Sequence, residues 1–298
     1  MIFLLLSILS SSLIFVIFKL YRHFGINTLQ AIIFNYFFAF LAGVLVDRSP
    51  AELLRVPGES WFPGVLILGM LFISVFYLTA ITAQKNGLAV VSVATKLSVA
   101  IPVLVGILYY GESTGVLKIT GVALAMIAVY LTSVRSGETI KLQEGNLIFP
   151  IAVFFGSGII DSTIKFLEKS FVAPRDIALF SSSIFAIAGL IGIGILLAQF
   201  LSGKLRLSVR NLLGGIALGI PNFGSIYFLV MALRHTGMES STIFPLNNLA
   251  IVLVSTILGV LFFHERMLTR NWIGTALAIL SIVLIATADQ WADWFPWT

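Results

Sequence analysis

The sequence contains no cysteine among its 298 residues. Without thiols, the chain can form no disulfide, no thiolate nucleophile, no iron–sulfur cluster and no thiolate zinc site. Charged residues are also scarce, at 10% of the chain against about a quarter in an average soluble domain. These two deficits exclude thiol chemistry and a fold built mainly as a soluble domain.

Apolar residues dominate instead, at 59% of the chain, with a mean hydropathy of +1.06. An apolar helix of about 20 residues crosses a hydrocarbon core of about 30 Å, so the chain has room for about ten crossings joined by short loops. The formal net charge of +5 comes from basic residues spread along those loops, where they suit lipid headgroups better than nucleic acid. The predicted helices lie at about residues 2–20, 28–46, 62–84, 88–110, 115–134, 147–168, 176–200, 211–233, 239–263 and 270–288.

The chain contains an internal repeat. An aromatic-rich helix end is followed by Glu112 in the first half and by Glu265 in the second, and nine residues after each glutamate a Gly-x-Ala-Leu-Ala motif begins, at Gly121 and Gly274. A duplication of five helices gives an odd number per half, so the second half must enter the membrane from the opposite side. The sequence predicts an all-α polytopic membrane protein of ten transmembrane helices in two inverted five-helix repeats. The predicted parts are a first repeat at 1–134, a linker at 135–146, a second repeat at 147–288 and a C-terminal tail at 289–298.

This repeated pattern of apolar helix, glutamate, short turn and Gly-x-Ala-Leu-Ala helix resembles the EamA-type ten-helix branch of the drug/metabolite transporter superfamily. The resemblance implies a central cavity lined by helices from both halves, alternating access, and efflux or exchange of small metabolites. It also implies a multi-pass protein of the cell (inner) membrane with cytoplasmic termini. The distribution of basic residues between the predicted loops leans weakly towards the opposite orientation.

Two charged side chains fall deep inside predicted helices, Lys96 and Asp161. A charge near mid-membrane costs at least about 2.5 to 3.5 kcal/mol on insertion scales, so each is a candidate substrate-binding residue. Asp161 has two alternative partners: Lys165, one helical turn further on, or Lys96 across a cavity. Lys19 and Lys165 occupy corresponding helix ends in the two halves and are also candidate binding residues.

Prolines inside three predicted helices provide a second signal. Each proline lacks an N–H and frees the carbonyl four residues earlier, a group that protein, water or substrate must then satisfy. The prolines are Pro102, Pro221 and Pro245, and the polar residues that follow the last two are Asn222, Ser225, Asn247 and Asn248. These side chains are candidate substrate contacts, with kinked packing and interhelical hydrogen bonds as the alternative.

Glu112 and Glu265 sit at helix ends, where a structural role is expected, namely capping the N-terminus of the following helix or placing a negative charge there. No histidine has metal-ligand spacing, and no nucleotide-binding loop or Ser-His-Asp arrangement is present, so neither a metal nor a cofactor is expected.

The sequence therefore predicts a secondary-active exporter or exchanger of small metabolites such as amino acids or related amphipathic solutes, and not an enzyme. Its expected partners are a small-molecule substrate, the lipid bilayer and protons as a coupling ion. A monomer is expected, with a dimer as the alternative. The rival interpretation is a membrane-embedded enzyme or sensor, which would need clustered catalytic groups within the membrane.

Overall fold

The computed structural model describes residues 1–47, 50–86, 88–133, 147–203, 207–263 and 267–292. It is 88% helix and has no strand within those ranges, so the predicted all-α class is confirmed. The helices are α1 (Ile2–His23), α2 (Thr28–Asp47), α3 (Phe62–Asn86), α4 (Leu88–Leu97), α5 (Ala100–Tyr110), α6 (Val116–Ser133), α7 (Ile148–Ser170), α8 (Ile177–Leu201), α9 (Val209–His235), α10 (Ser240–Phe263) and α11 (Thr269–Ala292). A 3-10 helix (Pro50–Gly58) lies between α2 and α3.

The apolar runs of the sequence predict these helices to within about four residues at each end. One difference is internal: the predicted fourth helix is divided into α4 and α5 by a turn at Ser98 and Val99. Pro102, in the first turn of α5, cannot donate a hydrogen bond to the Ser98 carbonyl, which instead accepts from the Ile101 N–H at 2.9 Å. The predicted linker at 135–146 lies outside the described residues.

Eight apolar helices of the described chain are long enough to cross a membrane, by length and composition. Two further apolar segments are shorter, Ile2–Phe18 and Val116–Thr132. The side chains of these helices are largely apolar even where they are exposed, which suits contact with lipid and not with water. The chain is therefore a multi-pass membrane protein.

The helices form two compact units. Unit one comprises Met1–Ser74 and Thr163–His235, and unit two comprises Val75–Ser162 and Thr236–Thr298. Neither unit coincides with a sequence half, because each combines segments from before and after the predicted linker. Helices α3 and α7 contribute residues to both units.

Glycine allows close helix packing in unit one, where α9 packs against α1 and α2. A Cβ on Gly215 would lie 2.9 Å from the Ala31 carbonyl oxygen and 3.0 Å from the Asn35 nitrogen, both backbone atoms of α2. Because backbone cannot move aside as a side chain can, this position requires glycine. The contact is typical of the small-residue interfaces that bring membrane helices together.

In unit two, the same principle explains the repeated Gly-x-Ala-Leu-Ala motif. Both motif glycines lie where α6 packs against α11: a Cβ on Gly274 would lie 3.0 Å from the Thr132 nitrogen, and one on Gly121 would lie 2.6 Å from the Ile285 side chain. The Ser281 hydroxyl donates to the Gly121 carbonyl at 2.6 Å in the same contact. The motif is therefore used for packing between α6 and α11.

Candidate functional site

Lys96 lies in the last turn of α4 and is buried, with 8% of its surface exposed. Its Nζ donates to Oδ1 of Asn248, on α10, at 3.1 Å. Nδ2 of Asn248 donates in turn to the Phe244 carbonyl at 3.2 Å, which fixes the amide with its oxygen towards the lysine. An ammonium group is thus held inside unit two by a preoriented amide.

Asp161, on α7, is half-buried in the same unit, and its carboxylate interacts electrostatically with Lys96. Of the two partners expected for Asp161, Lys96 is the one whose charge acts on it. Lys165 instead donates to Glu168 Oε2 at 3.4 Å. A hydrogen bond joins Lys96 to Asn248, and the charge of Asp161 acts on Lys96 from α7, so we call the three residues the buried charge pair with its amide.

The helix is interrupted two residues after Lys96, at Ser98. In a regular helix the Val99 N–H would bond to the Thr95 carbonyl, but here it bonds to the Lys96 carbonyl, at 3.4 Å. The Thr95 carbonyl instead accepts a hydrogen bond from the Ser98 hydroxyl at 2.6 Å. Broken helices at membrane depth are found where the backbone is enclosed by protein or lines a solvated site. The break is therefore a second indication, besides the buried charge, of a binding site near Lys96.

Several polar atoms of unit two are buried without a hydrogen-bond partner among the described residues, and two of them, Ser162 Oγ and Asn247 Oδ1, belong to residues next to Asp161 and Asn248 in the sequence. Ser162 follows Asp161 in α7, and Asn247 precedes Asn248 in α10. Buried polar atoms are normally paired, so unpaired ones in one unit indicate places where a polar solute or water can bind. Pro245 precedes this part of α10 without dividing the helix.

The candidate residues of α9 belong to unit one and make helix-to-helix contacts there. Asn222 Nδ2 donates to Asn35 Oδ1 at 3.1 Å, and the Ser225 carbonyl accepts from the Ser7 hydroxyl at 3.0 Å. These bonds join α9 to α2 and α1 close to Pro221, which lies inside the helix. Bonds of this kind correspond to the alternative stated for these residues, in which they make interhelical hydrogen bonds and do not contact a substrate.

Lys165 belongs to a second ionic group in unit one. The buried carboxylate of Glu168 accepts from Arg234 Nε at 2.8 Å as well as from Lys165. Arg234 Nη2 also donates to the carbonyls of Glu168 and Val172, each at 2.8 Å, and so satisfies the C-terminal end of α7. Lys19 lies in α1, and its side chain lies outside the described residues.

Glu112 caps a helix, but not the one that follows it. Its carboxylate accepts the Ser240 N–H at 3.0 Å, the Ser241 N–H at 2.7 Å and the Ser240 hydroxyl, all at the start of α10. The hydrogen bonds of Glu112 thus cap α10, whereas capping of α6, which follows Glu112 in the chain, was the expectation. Gly111 makes this reach possible, because it ends α5 at a φ of 65°, a left-handed conformation that favours glycine. The other glutamate of the expected pair, Glu265, lies outside the described residues.

Glu239, just before α10, makes the reciprocal contact with the residues that follow α5. Its carboxylate accepts the Ser113 N–H at 3.0 Å, the Ser113 hydroxyl at 2.7 Å and Nζ of the buried Lys118. Burial raises the pKa of Glu239, and the bonds from Lys118 and Ser113 lower it by more, so this pKa lies below its ordinary range. We call these reciprocal contacts the helix-end clamp. It comprises Glu112, Ser113, Lys118, Glu239, Ser240 and Ser241.

The sequence carries a signal for this clamp. Each side is a Glu-Ser dipeptide at a helix end, Glu112-Ser113 and Glu239-Ser240. The described residues contain no group of three or more potential metal ligands.

Comparisons with known proteins define the fold and leave the activity open. No family model matches the chain. It is 29% identical over 293 residues to an uncharacterized protein of Haemophilus influenzae, an alignment that covers 96% of this chain and 98% of that one. A crystal structure of another protein superposes on 97% of this chain and 97% of that chain with a TM-score of 0.77, at 13% sequence identity. At that identity the likeness is one of fold alone.

Proposed function

We propose that the chain is a secondary-active transporter of small metabolites, an exporter or exchanger of the EamA type. In this proposal ten apolar helices, with α4 and α5 counted as one, each cross the membrane once as two inverted five-helix repeats. Transport proceeds by alternating access, in which the binding site opens to one side of the membrane at a time.

Hydrogen bonds between helix ends support ten crossings. If every apolar helix crosses once, the ends that meet must lie on the same side of the membrane. In unit one the starts of α2 and α9 meet through Asn27 and Asn211, and the ends of α7 and α9 meet through Glu168 and Arg234. In unit two the end of α5 meets the start of α10, and the end of α6 meets the start of α11 through Asn271. When the ten helices alternate in direction across the membrane, the two ends of each of these four pairs lie on the same side.

The observation that carries the transport proposal is the buried charge pair with its amide. An enzyme would keep such costly charges beside a nucleophile, an acid–base pair or metal ligands, whereas a transporter needs a polar site that can bind and release a solute at membrane depth. Lys96 stands at a helix break and holds an amide of a neighbouring helix, which are the features of a solute site.

Purified protein in liposomes provides the test. Vesicles loaded with an unlabelled amino-acid mixture and diluted into a trace of the ¹⁴C-labelled mixture should accumulate label by exchange, without chemical change of the solutes. Protein-free vesicles are the control. Product formation with no exchange would favour the membrane-embedded enzyme and would contradict the proposal.

The proposed location is the cell (inner) membrane with cytoplasmic termini. A fluorescent protein fused to the C-terminus should then fluoresce in the cytoplasm. A fusion that stays dark and is labelled by an impermeant reagent from outside would reverse the orientation.

A further inference from the structure

Helix α10 is joined to the segment formed by α4 and α5 at two levels. Near the start of α10, the Ser241 N–H donates to Glu112 at 2.7 Å. Further along α10, Asn248 Oδ1 accepts from Lys96 Nζ at 3.1 Å. Ser241 and Asn248 are seven residues apart, a spacing that places both on one face of a helix, about 10 Å apart along its axis. One face of α10 thus carries both the helix-end clamp and the amide that holds Lys96.

The two levels involve different helices of the facing segment. The turn at Ser98 and Val99 interrupts the regular backbone hydrogen bonds, so α4 and α5 do not form one continuous helix. Lys96 lies in α4, whereas Glu112 follows the end of α5. Because α5 and not α4 holds the start of α10, the hold at that level can set the position of Asn248 opposite Lys96.

The clamp holds α10 closely against α5. A Cβ on Gly106 would lie 2.5 Å from Glu112 Oε2 and 3.3 Å from Ser240 Oγ, so the carboxylate and the start of α10 both approach the α5 backbone. Ser240 and Ser241, whose N–H groups donate to this carboxylate, are 1% and 0% exposed. Without Glu112 these buried donors would have no water to bond to, so the start of α10 would have to move to reach other acceptors.

We propose that Glu112 is a positioning residue of the solute site, an inference that rests on the proposed transport function. Its own hydrogen bonds are at the start of α10, and by fixing that start it keeps Asn248 within hydrogen-bond distance of Lys96. A hydrogen bond of 3.1 Å is lost when its two atoms move apart by about 0.5 Å or more. A displacement of α10 by about 1 Å therefore deprives Lys96 of the amide that holds it.

Exchange in liposomes tests this, with vesicles that contain the unlabelled amino-acid mixture and with the ¹⁴C-labelled mixture added outside at increasing concentration. We expect Glu112→Ala to raise the concentration for half-maximal exchange at least about fivefold, because a misplacement of about 1 Å in a binding group can cost up to about 100-fold. Asn248→Ala should raise it as well. In the Asn248→Ala background, Glu112→Ala should change this concentration by less than about twofold, because the residue that it positions has already been removed.

Gly274→Ala is the matched control for a general loss of stability. Its new Cβ would lie 3.0 Å from the Thr132 nitrogen, so it should destabilise unit two where α11 packs against the end of α6, away from the clamp. It should leave the half-maximal concentration unchanged. Gly106→Ala displaces the same carboxylate and should reproduce the effect of Glu112→Ala, so it tests the proposal if Glu112→Ala does not fold.

Three results would overturn the positioning role while leaving transport intact. They are an unchanged half-maximal concentration in folded Glu112→Ala protein, an equal rise in Gly274→Ala, and effects of Glu112→Ala and Asn248→Ala that multiply in the double variant. Wild-type protein that exchanges no amino acid would instead contradict the transport proposal, and this inference with it.

Discussion

Glu112 should contribute more to the stability of unit two than its position at a helix end suggests. Its carboxylate satisfies the N–H groups of Ser240 and Ser241, residues that are 1% and 0% exposed, so water cannot replace it in Glu112→Ala. Loss of a helix cap costs about 1 kcal/mol, and each buried donor left unpaired costs about 1–3 kcal/mol. The two donors together set the cost, so we expect Glu112→Ala to lower the free energy of unfolding by about 2–6 kcal/mol.

The assay is denaturant titration of purified protein in detergent, followed by tryptophan fluorescence. Glu52→Ala removes a glutamate whose contact with Arg55 is exposed, and it should cost less than about 1 kcal/mol. Gly106→Ala provides an independent perturbation, because its new Cβ would lie 2.5 Å from Glu112 Oε2 and displace the carboxylate. The double variant of Gly106 and Glu112 should therefore be less destabilised than the sum of the single variants.

Two results would refute this reasoning. If Glu112→Ala costs no more than Glu52→Ala, the start of α10 does not depend on the clamp. If the effects of Gly106→Ala and Glu112→Ala simply add, the two residues do not act through one carboxylate.

Three further predictions concern the helix ends and the packing. The pKa of Glu239 lies below its ordinary 4.5, so its stabilising effect should be present above that pH and be lost as the pH falls further, and Glu239→Gln should flatten this dependence of the unfolding free energy. Arg234→Gln should cost about 3 kcal/mol because it leaves a buried carboxylate and two carbonyls short of donors, whereas Arg175→Gln, at a side chain that is 77% exposed, should cost less than about 1 kcal/mol. Gly215→Ala should destabilise by about 1–3 kcal/mol, whereas Gly194→Ala, in open space on α8, should be neutral or slightly stabilising. Equal effects within either matched pair would contradict the packing described here.

The helices could be predicted from the sequence because each one is a long apolar run ended by charge, glycine or a turn. The break between α4 and α5 was only half predictable. Pro102 identifies the carbonyl of Ser98 as unsatisfied by a regular helix, but the choice between a kink and a turn depends on local bonds such as that of the Ser98 hydroxyl.

Contacts between distant segments could not be predicted in the same way. Glu112 is separated by 128 residues from the helix it caps, and only the packing of α5 against α10 brings the two together. The inverted repeat indicates which helices correspond to each other, but not that each compact unit takes segments from both halves. For Asp161, helical spacing allowed Lys165 as readily as Lys96, but Lys165 donates to Glu168 further along α7.

The most direct test of the transport proposal is amino-acid exchange in liposomes by Lys96→Ala, with the unfolding transition of the same preparation measured in parallel. We expect exchange to fall at least about tenfold, or to shift to other solutes, while the variant stays folded, because a costly intramembrane charge that serves a solute site is not needed to hold the helices together. If the folded variant exchanges amino acids at the wild-type rate, Lys96 is a structural residue and the proposed site is contradicted.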